Sequence, residues 1–256
     1  MPVIVRKKDY KLTKVSAGCE VAHLLNPEVI GNDQIILDYI KIASGSEYDI
    51  KLDSGAVGWI QLLAGTGILD GVSHPLNSNL ILYLPRGLHT RYISEQSTSE
   101  LLIAQIPNAD RFDSEIENMP KQVCHTDWTR EPILESEHDA RKRIYLATPT
   151  LAGTNAFKGE MITYPPGTAA PEHHHVGAEH FQYIISGNLT ASLNQERQEL
   201  KAGDILYNYE RELHTFINES NNISFSTLLI SSLISFSRFS LFLSTSFNIS
   251  SLALLK

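Results

Sequence analysis

Two pairs of similar segments recur in the same order along this chain of 256 residues. The segment GWIQLLAGTGIL at residues 58–69 resembles HFQYIISGNLTASL at 180–193, because each is an apolar run, a small residue with Gly, and a second run. The segment LILYLPRGLHTRYIS, from Leu80, matches DILYNYERELHTFIN, from Asp204, with a one-residue gap. Repeated matches at similar separation indicate two copies of one structural unit. The duplication therefore predicts two related lobes.

Short apolar runs bounded by Gly, Pro, Asn and Asp are typical of β-strands, and helical periodicity is poor, so both lobes are predicted to be all-β. We expect the lobes at residues 1–106 and 151–230. Residues 107–150 contain four prolines and mixed charge and are expected to form an irregular connection with a short helix at 136–143. Residues 231–256 are a hydrophobic, Ser-rich tail, either a membrane anchor or the product of an altered reading frame, and no function is assigned to them.

The charge and cysteine content exclude several classes of function. The chain has 21 Lys and Arg against 29 Asp and Glu, a formal net charge of -8, so neither nucleic acid nor a membrane surface is an expected partner. Cys19 and Cys124 are far apart and form no CxxC pair, which predicts reduced thiols and no cysteine-based zinc site. Residues 1–12 are charged where a secretory signal needs an apolar core, so a cytoplasmic location is expected.

Four of the ten histidines lie within eight residues, directly before an aromatic and β-branched run. Residues two apart in a strand face the same way, so His173 and His175 can point together into a barrel while His174 faces outward. A metal needs further ligands, which usually come from neighbouring strands. His214, on the later run LHTFIN, can complete the site. Together these residues predict a metal centre.

A further ligand can come from Glu179 or His180, which follow the turn at residues 176–178. Adjacent strand residues face opposite sides of a sheet, so normally only one of the two can bind. Counting forward from His175 selects Glu179, whereas counting back from Gly187 along an uninterrupted strand selects His180. We favour His180 because loops accept an extra residue more easily than strands accept a change of register, although a bulge would reverse the choice.

These residues resemble the two motifs of the cupin superfamily, which has a double-sheet jelly-roll barrel with a metal inside. The resemblance covers residues 159–227. The matching positions are Gly167, His173, His175, Glu179 and Gly187 in the first motif, and Gly203, His214 and Asn218 in the second, where Tyr209 and Arg211 replace Pro and Gly. In the first lobe, Pro85, Gly87 and His89 resemble the second motif, but no His-x-His precedes them. The chain thus resembles a bicupin with a degenerate N-terminal lobe and a metal-binding C-terminal lobe.

The resemblance implies one divalent transition metal, with iron expected first and Mn, Ni, Zn or Cu as alternatives. It implies an enzyme acting on a small organic acid or enolisable compound, with an oxygenase of the dioxygenase type as the leading prediction. A metal-dependent isomerase, lyase or aminohydrolase is one alternative, and a non-catalytic small-molecule-binding cupin is another. Glu172 or Glu179 is expected to transfer protons, and a homodimer is the expected assembly. The predicted substrate contacts are Gln182, Tyr207, Tyr209 and Arg211.

Overall fold

The computed structural model describes residues 2–136, 139–193 and 196–232. The first half contains strands β1 Val3–Val5, β2 Thr13–Ser16, β3 Cys19–Leu25, β4 Ile36–Ile42, β5 Glu47–Lys51, β6 Val57–Ala64, β7 Gly67–Leu69, β8 Leu80–Leu84, β9 His89–Ser94, β10 Ser99–Ile106 and β11 Cys124–Asp127. The second half contains β12 Leu134–Glu135, β13 Lys142–Ala147, β14 Phe157–Tyr164, β15 Ala178–Ser186, β16 Asn188–Leu193, β17 Glu196–Lys201, β18 Ile205–Asn208, β19 His214–Ile217 and β20 Ser224–Ser232. The α-helices are α1 Pro27–Ile30 and α2 Pro149–Ala152, and 3-10 turns lie at Lys7–Asp9, Ala109–Arg111, Ile116–Asn118 and Trp128–Arg130.

Each lobe is built from a seven-stranded and a three-stranded antiparallel sheet. The N-terminal lobe has the orders β2-β3-β4-β10-β6-β8-β11 and β5-β9-β7. The C-terminal lobe has the orders β1-β18-β15-β20-β14-β13-β12 and β17-β16-β19. The predicted all-β class, with two jelly-roll lobes, is confirmed. The strand β20 lies between β15 and β14, so the run ISFSTLLI contributes to the middle of the second lobe's large sheet.

Three apolar cores follow from the alternation of side chains along the strands. One core lies within the N-terminal lobe and includes Ile60 and Leu82. A second lies within the C-terminal lobe and includes Ile184 and Ile230. The third contains residues from both large sheets, which therefore pack against each other. Burial of these side chains is the main source of stability for a sheet protein of this kind.

In the contact between the lobes, the large side chain of Trp59 packs over a glycine, Gly159. Trp59 of β6 lies against Phe157 of β14, with ring centroids 6.4 Å apart and the planes nearly perpendicular. A Cβ atom placed on Gly159 would lie 2.2 Å from the Trp59 ring. Glycine at this position therefore creates the space that the indole fills.

The duplication extends further than the sequence comparison predicted. In the first lobe, Asn26 accepts hydrogen bonds at the start of α1, and Gly31 ends the helix with φ 71°. In the second lobe, Thr148 accepts the corresponding bond at the start of α2, and Gly153 ends it, again with φ 71°. Both helices begin with Pro, the residue preferred at the first helical position. The segments NPEVIG and TPTLAG are thus a third matching pair.

The first strand of the chain and the strands of the expected connection lie at the edges of the two large sheets. β1 pairs with β18 of the C-terminal lobe, and Arg6 forms a salt bridge of 3.0 Å with Asp204. Within the expected connection, β11 pairs with β8 of the N-terminal lobe, whereas β12 and β13 join the C-terminal sheet. β11 and β12 carry few apolar residues, so their partners, not their composition, determine their structure.

The prediction of a short helix at residues 136–143 is wrong, because none of the described residues in that range is helical. Residues 139–141 form a bend and an extended segment, and residue 142 begins β13. Pairing of β13 with β14 overrides the local preference. Most of the tail, from residue 233 onward, lies outside the described residues. Among the described residues, no helix is long and apolar enough to cross a membrane.

Candidate metal centre

The histidines come from three separate parts of the C-terminal lobe. His173 and His175 lie in the extended segment between β14 and β15, His214 begins β19, and His180 lies in β15. An isolated antiparallel bridge joins His173 to His214, with backbone N to O distances of 3.0 and 2.9 Å. Residues that are distant in the sequence are therefore neighbours because of backbone pairing.

Three of these side chains form a compact set of nitrogen atoms. One ligand atom each from His173, His175 and His214 lies within 4.8 Å of the other two. The ring centroid of His173 is 5.1 Å from that of His175 and 4.4 Å from that of His214. Three convergent imidazoles are a common ligand set for transition metals. These residues can hold a metal ion.

Backbone carbonyl groups determine which nitrogen of two rings faces the cluster. Nδ1 of His173 lies 2.8 Å from the carbonyl oxygen of Pro171, and Nδ1 of His214 lies 2.8 Å from that of Glu212. A carbonyl only accepts hydrogen bonds, so both Nδ1 atoms carry the proton and the lone pair is on Nε2. Nε2 of His214 is buried and has no hydrogen-bond partner among the described residues. Such a lone pair is suited to metal coordination.

His180 lies beside this set and is 1% exposed. Its ring centroid is 4.7 Å from that of His175 and 4.8 Å from that of His214. Nε2 of His180 lies 3.0 Å from Nδ2 of Asn208 on the neighbouring strand. Nδ1 of His180 and Oδ1 of Asn208 are buried without a hydrogen-bond partner in the described structure. Turning the Asn208 amide would let Nε2–H donate to Oδ1 and leave the lone pair on Nδ1.

Burial keeps the four imidazoles neutral. Desolvation, followed by the neighbouring histidines, lowers the pKa of His175 to about 3. Burial and then His173 lower the pKa of His214 to about 4. Burial also lowers the pKa of His173 and that of His180. Neutral imidazole is the form that binds metals, so the rings are ready to coordinate at neutral pH without first losing protons.

Comparison with known proteins agrees with this architecture. Residues 160–231 match the family model of the cupin domain. This part of the C-terminal lobe is thus similar to a cupin domain. None of the curated proteins matches the sequence.

Solved structures of oxalate decarboxylase share the two-lobed fold over most of the chain. A variant of Bacillus subtilis oxalate decarboxylase has a TM-score of 0.70 and 14% identity, with 90% of this chain and 77% of that chain covered. The formate complex of Lactobacillus farciminis oxalate decarboxylase has a TM-score of 0.71 and 11% identity, with 91% and 86% covered. At this identity the likeness is one of fold.

The structure places Glu179 on the opposite face of the large C-terminal sheet from His180, away from the histidine cluster, and so gives no support to its expected role as a ligand. Its carboxylate accepts a hydrogen bond of 2.8 Å from Nδ2 of Asn32, in the N-terminal lobe, and another from the Tyr207 hydroxyl. The neighbouring side chain on each side of it in β15 points into the cupin barrel, so Glu179 faces the other lobe. The proton-transfer role expected for Glu179 stays a prediction that this placement does not favour.

The predicted substrate contacts are dispersed. Gln182 shares the face of His180, but its amide donates to the Tyr164 hydroxyl at 3.3 Å and to that of Ser226 at 2.6 Å. Tyr207 bonds Glu179 on the opposite face, so its placement at a pocket mouth is wrong. Tyr209 also reaches the other lobe, where its hydroxyl donates to the carbonyl of Ile30 at 2.7 Å.

The remaining predicted residues lie at the surface. Arg211 is exposed, has φ 65°, and is 3.4 Å from a carboxylate oxygen of Glu210. Its backbone amide donates to the carbonyl of His175 at 2.8 Å, so the backbone and not the guanidinium contacts the histidine segment. Glu172 is exposed next to His173. Its proton-transfer role stays a prediction.

Sequence reasoning missed two asparagines near the site. Asn208 contacts His180, and Asn32 holds Glu179 from the other lobe. Asn208 had a detectable signal, because it is a polar residue at the end of the apolar run ILYN and shares the inward face with Leu206. Asn32 had none, because its role depends on the packing of one lobe on the other.

Proposed function

We propose that the cupin lobe is a metal-dependent enzyme centre that acts on a small organic acid or enolisable compound. The observation that carries the proposal is the convergence of His173, His175 and His214, with ligand atoms within 4.8 Å of one another. His180 is the proposed fourth ligand because its ring adjoins two of the three.

The donor set suits a divalent transition metal. Imidazole nitrogen binds iron, nickel, copper and zinc well, and manganese is also accepted in mixed sites. Iron is the first candidate, and manganese, nickel, zinc and copper are the alternatives. The chemistry that such an ion supplies is Lewis-acid polarisation of a carboxylate or carbonyl oxygen, or redox chemistry in the case of iron.

The protein's own residues would prepare this centre for an anion. The carbonyls of Pro171 and Glu212 orient two rings with Nε2 inward. These rings therefore do not need to turn when a metal or substrate binds. Asn32 and Tyr207 hold the Glu179 carboxylate on the far side of the strand. An all-imidazole set leaves the full positive charge of a bound ion available to the substrate, so a carboxylate or enolate would bind better than a neutral molecule.

Two reaction classes remain candidates. An oxygenase activity is supported by the redox chemistry that iron bound to histidines can supply. A lyase is supported by the fold, because the solved structures that share both lobes are named oxalate decarboxylases. In this proposal, the oxygenase and the lyase would each bind a small acid at the histidine cluster. Only the oxygenase would need dioxygen.

The N-terminal lobe is proposed to be non-catalytic. Gly58 occupies the position of His180 in the matched segments, and a Cβ atom there would lie 2.6 Å from the carbonyl oxygen of Ala104. Side chains of Leu52 and Leu84 close the same space. An imidazole at this position would require the surrounding core to move. The lobe boundaries, a homodimer and a cytoplasmic location stay predictions.

Metal analysis of the purified full-length chain tests the centre. Wild type and Glu179→Ala are expected to hold about one transition-metal ion per chain, whereas His180→Ala holds less, because only the imidazole faces the cluster. Less than about a tenth of an ion in wild type would favour the non-catalytic binder. Loss of metal in Glu179→Ala, but not in His180→Ala, would reverse the ligand assignment.

Turnover of a panel of hydroxy acids, diketones, catechols and oxalate, measured with and without dioxygen, separates the two reaction classes. An oxygenase consumes dioxygen in proportion to product and stops without it. Equal rates in air and under nitrogen would exclude the oxygenase and support the lyase. The chain loaded with zinc, which has no redox chemistry, is the control for Lewis-acid turnover.

A further inference from the structure

Two histidines that are distant in the sequence meet on the N-terminal lobe. His125 lies on β11, and His74 lies in the loop between β7 and β8. Their ring centroids are 4.4 Å apart, and the ring planes are inclined by 60°. His173 and His214 in the candidate metal centre have nearly the same arrangement, 4.4 Å and 55°, and offer ligand atoms within 4.8 Å of each other. The spacing of His74 and His125 therefore suits the shared coordination of one ion.

The backbone that carries this pair is held in place on both sides. Two backbone hydrogen bonds of 3.2 and 2.6 Å join Gly67 to Leu76 and anchor the loop to the start of β7. Trp128, directly after β11, donates from its indole to the carbonyl of Ser78 at 2.8 Å and from its backbone amide to that of Asn79 at 3.0 Å. The loop is thus bonded to the end of β11, and little ordering is required when an ion binds between them.

The pair is reachable from solvent. β11 is the last strand of the large N-terminal sheet, where His125 is exposed and His74 is half-buried. Burial and then His74 lower the pKa of His125, which favours the neutral form of this ring. Two rings that stay in contact with water gain little from the hydrophobic effect, whereas neutral imidazole is the commonest protein ligand for metals. Metal binding therefore explains the contact better than packing does.

The donor set determines which ions fit. Imidazole nitrogen suits zinc, nickel and copper, whereas magnesium and calcium require oxygen ligands. Asp127 shares the face of His125 on β11, but its carboxylate is bonded to Thr129 at 3.1 and 2.6 Å and to Arg130 at 3.2 Å. We therefore do not count Asp127 as a ligand. Two imidazoles bind an ion more weakly than the three or four histidines of the candidate centre.

We propose that His74 and His125 form a second metal site, which binds Zn²⁺ or a similar transition-metal ion and links the β7–β8 loop to β11. Water completes the coordination of the ion. The site is independent of the proposed function, because both ligands lie in the other lobe. Because the ion would bind the folded lobe and not the unfolded chain, it would also stabilise this edge of the sheet.

Titration of the purified full-length chain with zinc, measured by calorimetry, tests the second site. The test variants are His74→Ala, His125→Ala and the combination of both. His89→Ala is the matched control, because His89 is an exposed histidine at the start of β9 in the same lobe. Cys124→Ser tests the neighbouring thiol as an alternative ligand. Magnesium serves as the control ion.

Wild type is expected to bind added zinc at a site whose affinity falls at least about tenfold in each alanine variant, since a ligand matters more than an outer contact. The combined variant should lose no further site. His89→Ala and Cys124→Ser should titrate like wild type, and magnesium should not bind there. The metal that the chain holds as purified should be the same in all variants, because the tighter centre lies in the other lobe.

Three results would overturn the second site. Unchanged zinc binding in His74→Ala and His125→Ala would show that the two rings only contact each other. An equal loss in His89→Ala would show adventitious binding to exposed histidines. A loss in Cys124→Ser without a loss in His74→Ala would assign the ion to the thiol. None of these results would affect the histidine cluster of the C-terminal lobe.

Discussion

At the scale of single residues, the histidine cluster depends on groups that do not themselves face its centre. The carbonyls of Pro171 and Glu212 fix the proton on Nδ1 of His173 and His214, and Asn208 contacts the outer nitrogen of His180. Such outer contacts typically change metal affinity about 10- to 100-fold when they are removed. A ligand itself should matter more, since its loss removes a bond to the ion.

Replacing one proposed ligand therefore has a clear expected result. His214→Ala should weaken the binding of zinc at least about 100-fold, more than the loss of an outer contact. His174→Ala is the control, because His174 lies between two cluster members but is exposed. Competition with a chromophoric chelator measures both affinities. Equal losses in the two variants would mean that the histidines act through the fold of the segment and not as ligands.

At the scale of elements, the alternation along β15 separates two tasks. Even-numbered positions, His180 and Gln182, face the barrel, whereas the odd-numbered Glu179, Phe181 and Tyr183 face the other lobe. Phe181 and Tyr183 belong to the core between the large sheets. One strand therefore carries the candidate centre on one face and the contact between lobes on the other.

This separation predicts that the two faces respond independently to mutation. Tyr207→Phe removes a donor from the buried Glu179 carboxylate and should lower the free energy of unfolding by roughly 1–3 kcal/mol. The metal content should stay at the wild-type value, because the hydroxyl lies on the face opposite the histidines. Urea unfolding and metal analysis of the same sample provide both values. A stable variant that loses its metal would contradict the assignment of faces.

At the scale of the whole molecule, the two lobes form one packed unit. The large sheets share a core, β1 joins the opposite lobe, and Asp113 connects the segment after β10 with the loop after α2. The Asp113 carboxylate accepts hydrogen bonds of 2.7 Å from the Thr154 hydroxyl and of 2.7 Å from the Asn155 amide. Separating the lobes would expose both the core and these polar groups.

Packing of the lobes can be tested at Gly159. Gly159→Ala places a Cβ atom 2.2 Å from the Trp59 ring, so the ring or the strand must move. Overpacking of this kind typically costs about 1–3 kcal/mol of unfolding free energy. Gly55→Ala is the control, since its Cβ would make only ordinary contacts, at 3.8 Å or more. Equal free energies of unfolding for the two variants in urea would show that the interface accommodates the added methyl group without loss of stability.

The Asp113 contacts predict a dependence of stability on pH. Burial opposes ionisation, but bonds from Asn155, Thr154 and Glu115 outweigh it and lower the pKa of Asp113 from its ordinary 3.8. A pKa that is lower in the folded state stabilises the protein above the unfolded-state value, and this contribution is lost as the pH falls through the folded-state pKa. Asp113→Asn should therefore be less stable than wild type at neutral pH.

The free energy of unfolding of Asp113→Asn should be roughly 1–3 kcal/mol lower than that of wild type at neutral pH. This difference should become smaller below about pH 4. Urea unfolding at a series of pH values from about 7 down to about 3 measures it. Asp110→Asn, at an exposed position three residues earlier, should follow wild type at every pH. A gap that stays constant over the whole series would show that the charge of Asp113 is not the cause.

The amino-acid sequence alone was sufficient to predict the all-β class, the two lobes and the convergence of His173, His175 and His214. Apolar alternation, turn residues and repeated spacing are local properties, and they are written directly into the order of residues. The pair His173 and His175, with the distant His214, was recognisable because each lies at a characteristic spacing from its own glycine. The bent segment at 139–141 was not recognisable, because it leads into β13, whose pairing with the distant β14 begins at Lys142.

Only the tertiary structure decided which of Glu179 and His180 faces the other histidines. A single extra residue in a loop reverses the face of every following strand position, and the loop's local sequence does not reveal which turn absorbs it. The bonds of Glu179 to Asn32 and Tyr207 depend on the other lobe and on a strand far along the chain. The contact between His74 and His125 likewise exists only in the folded chain, because strand pairing and loop contacts, and not sequence distance, bring the two rings together.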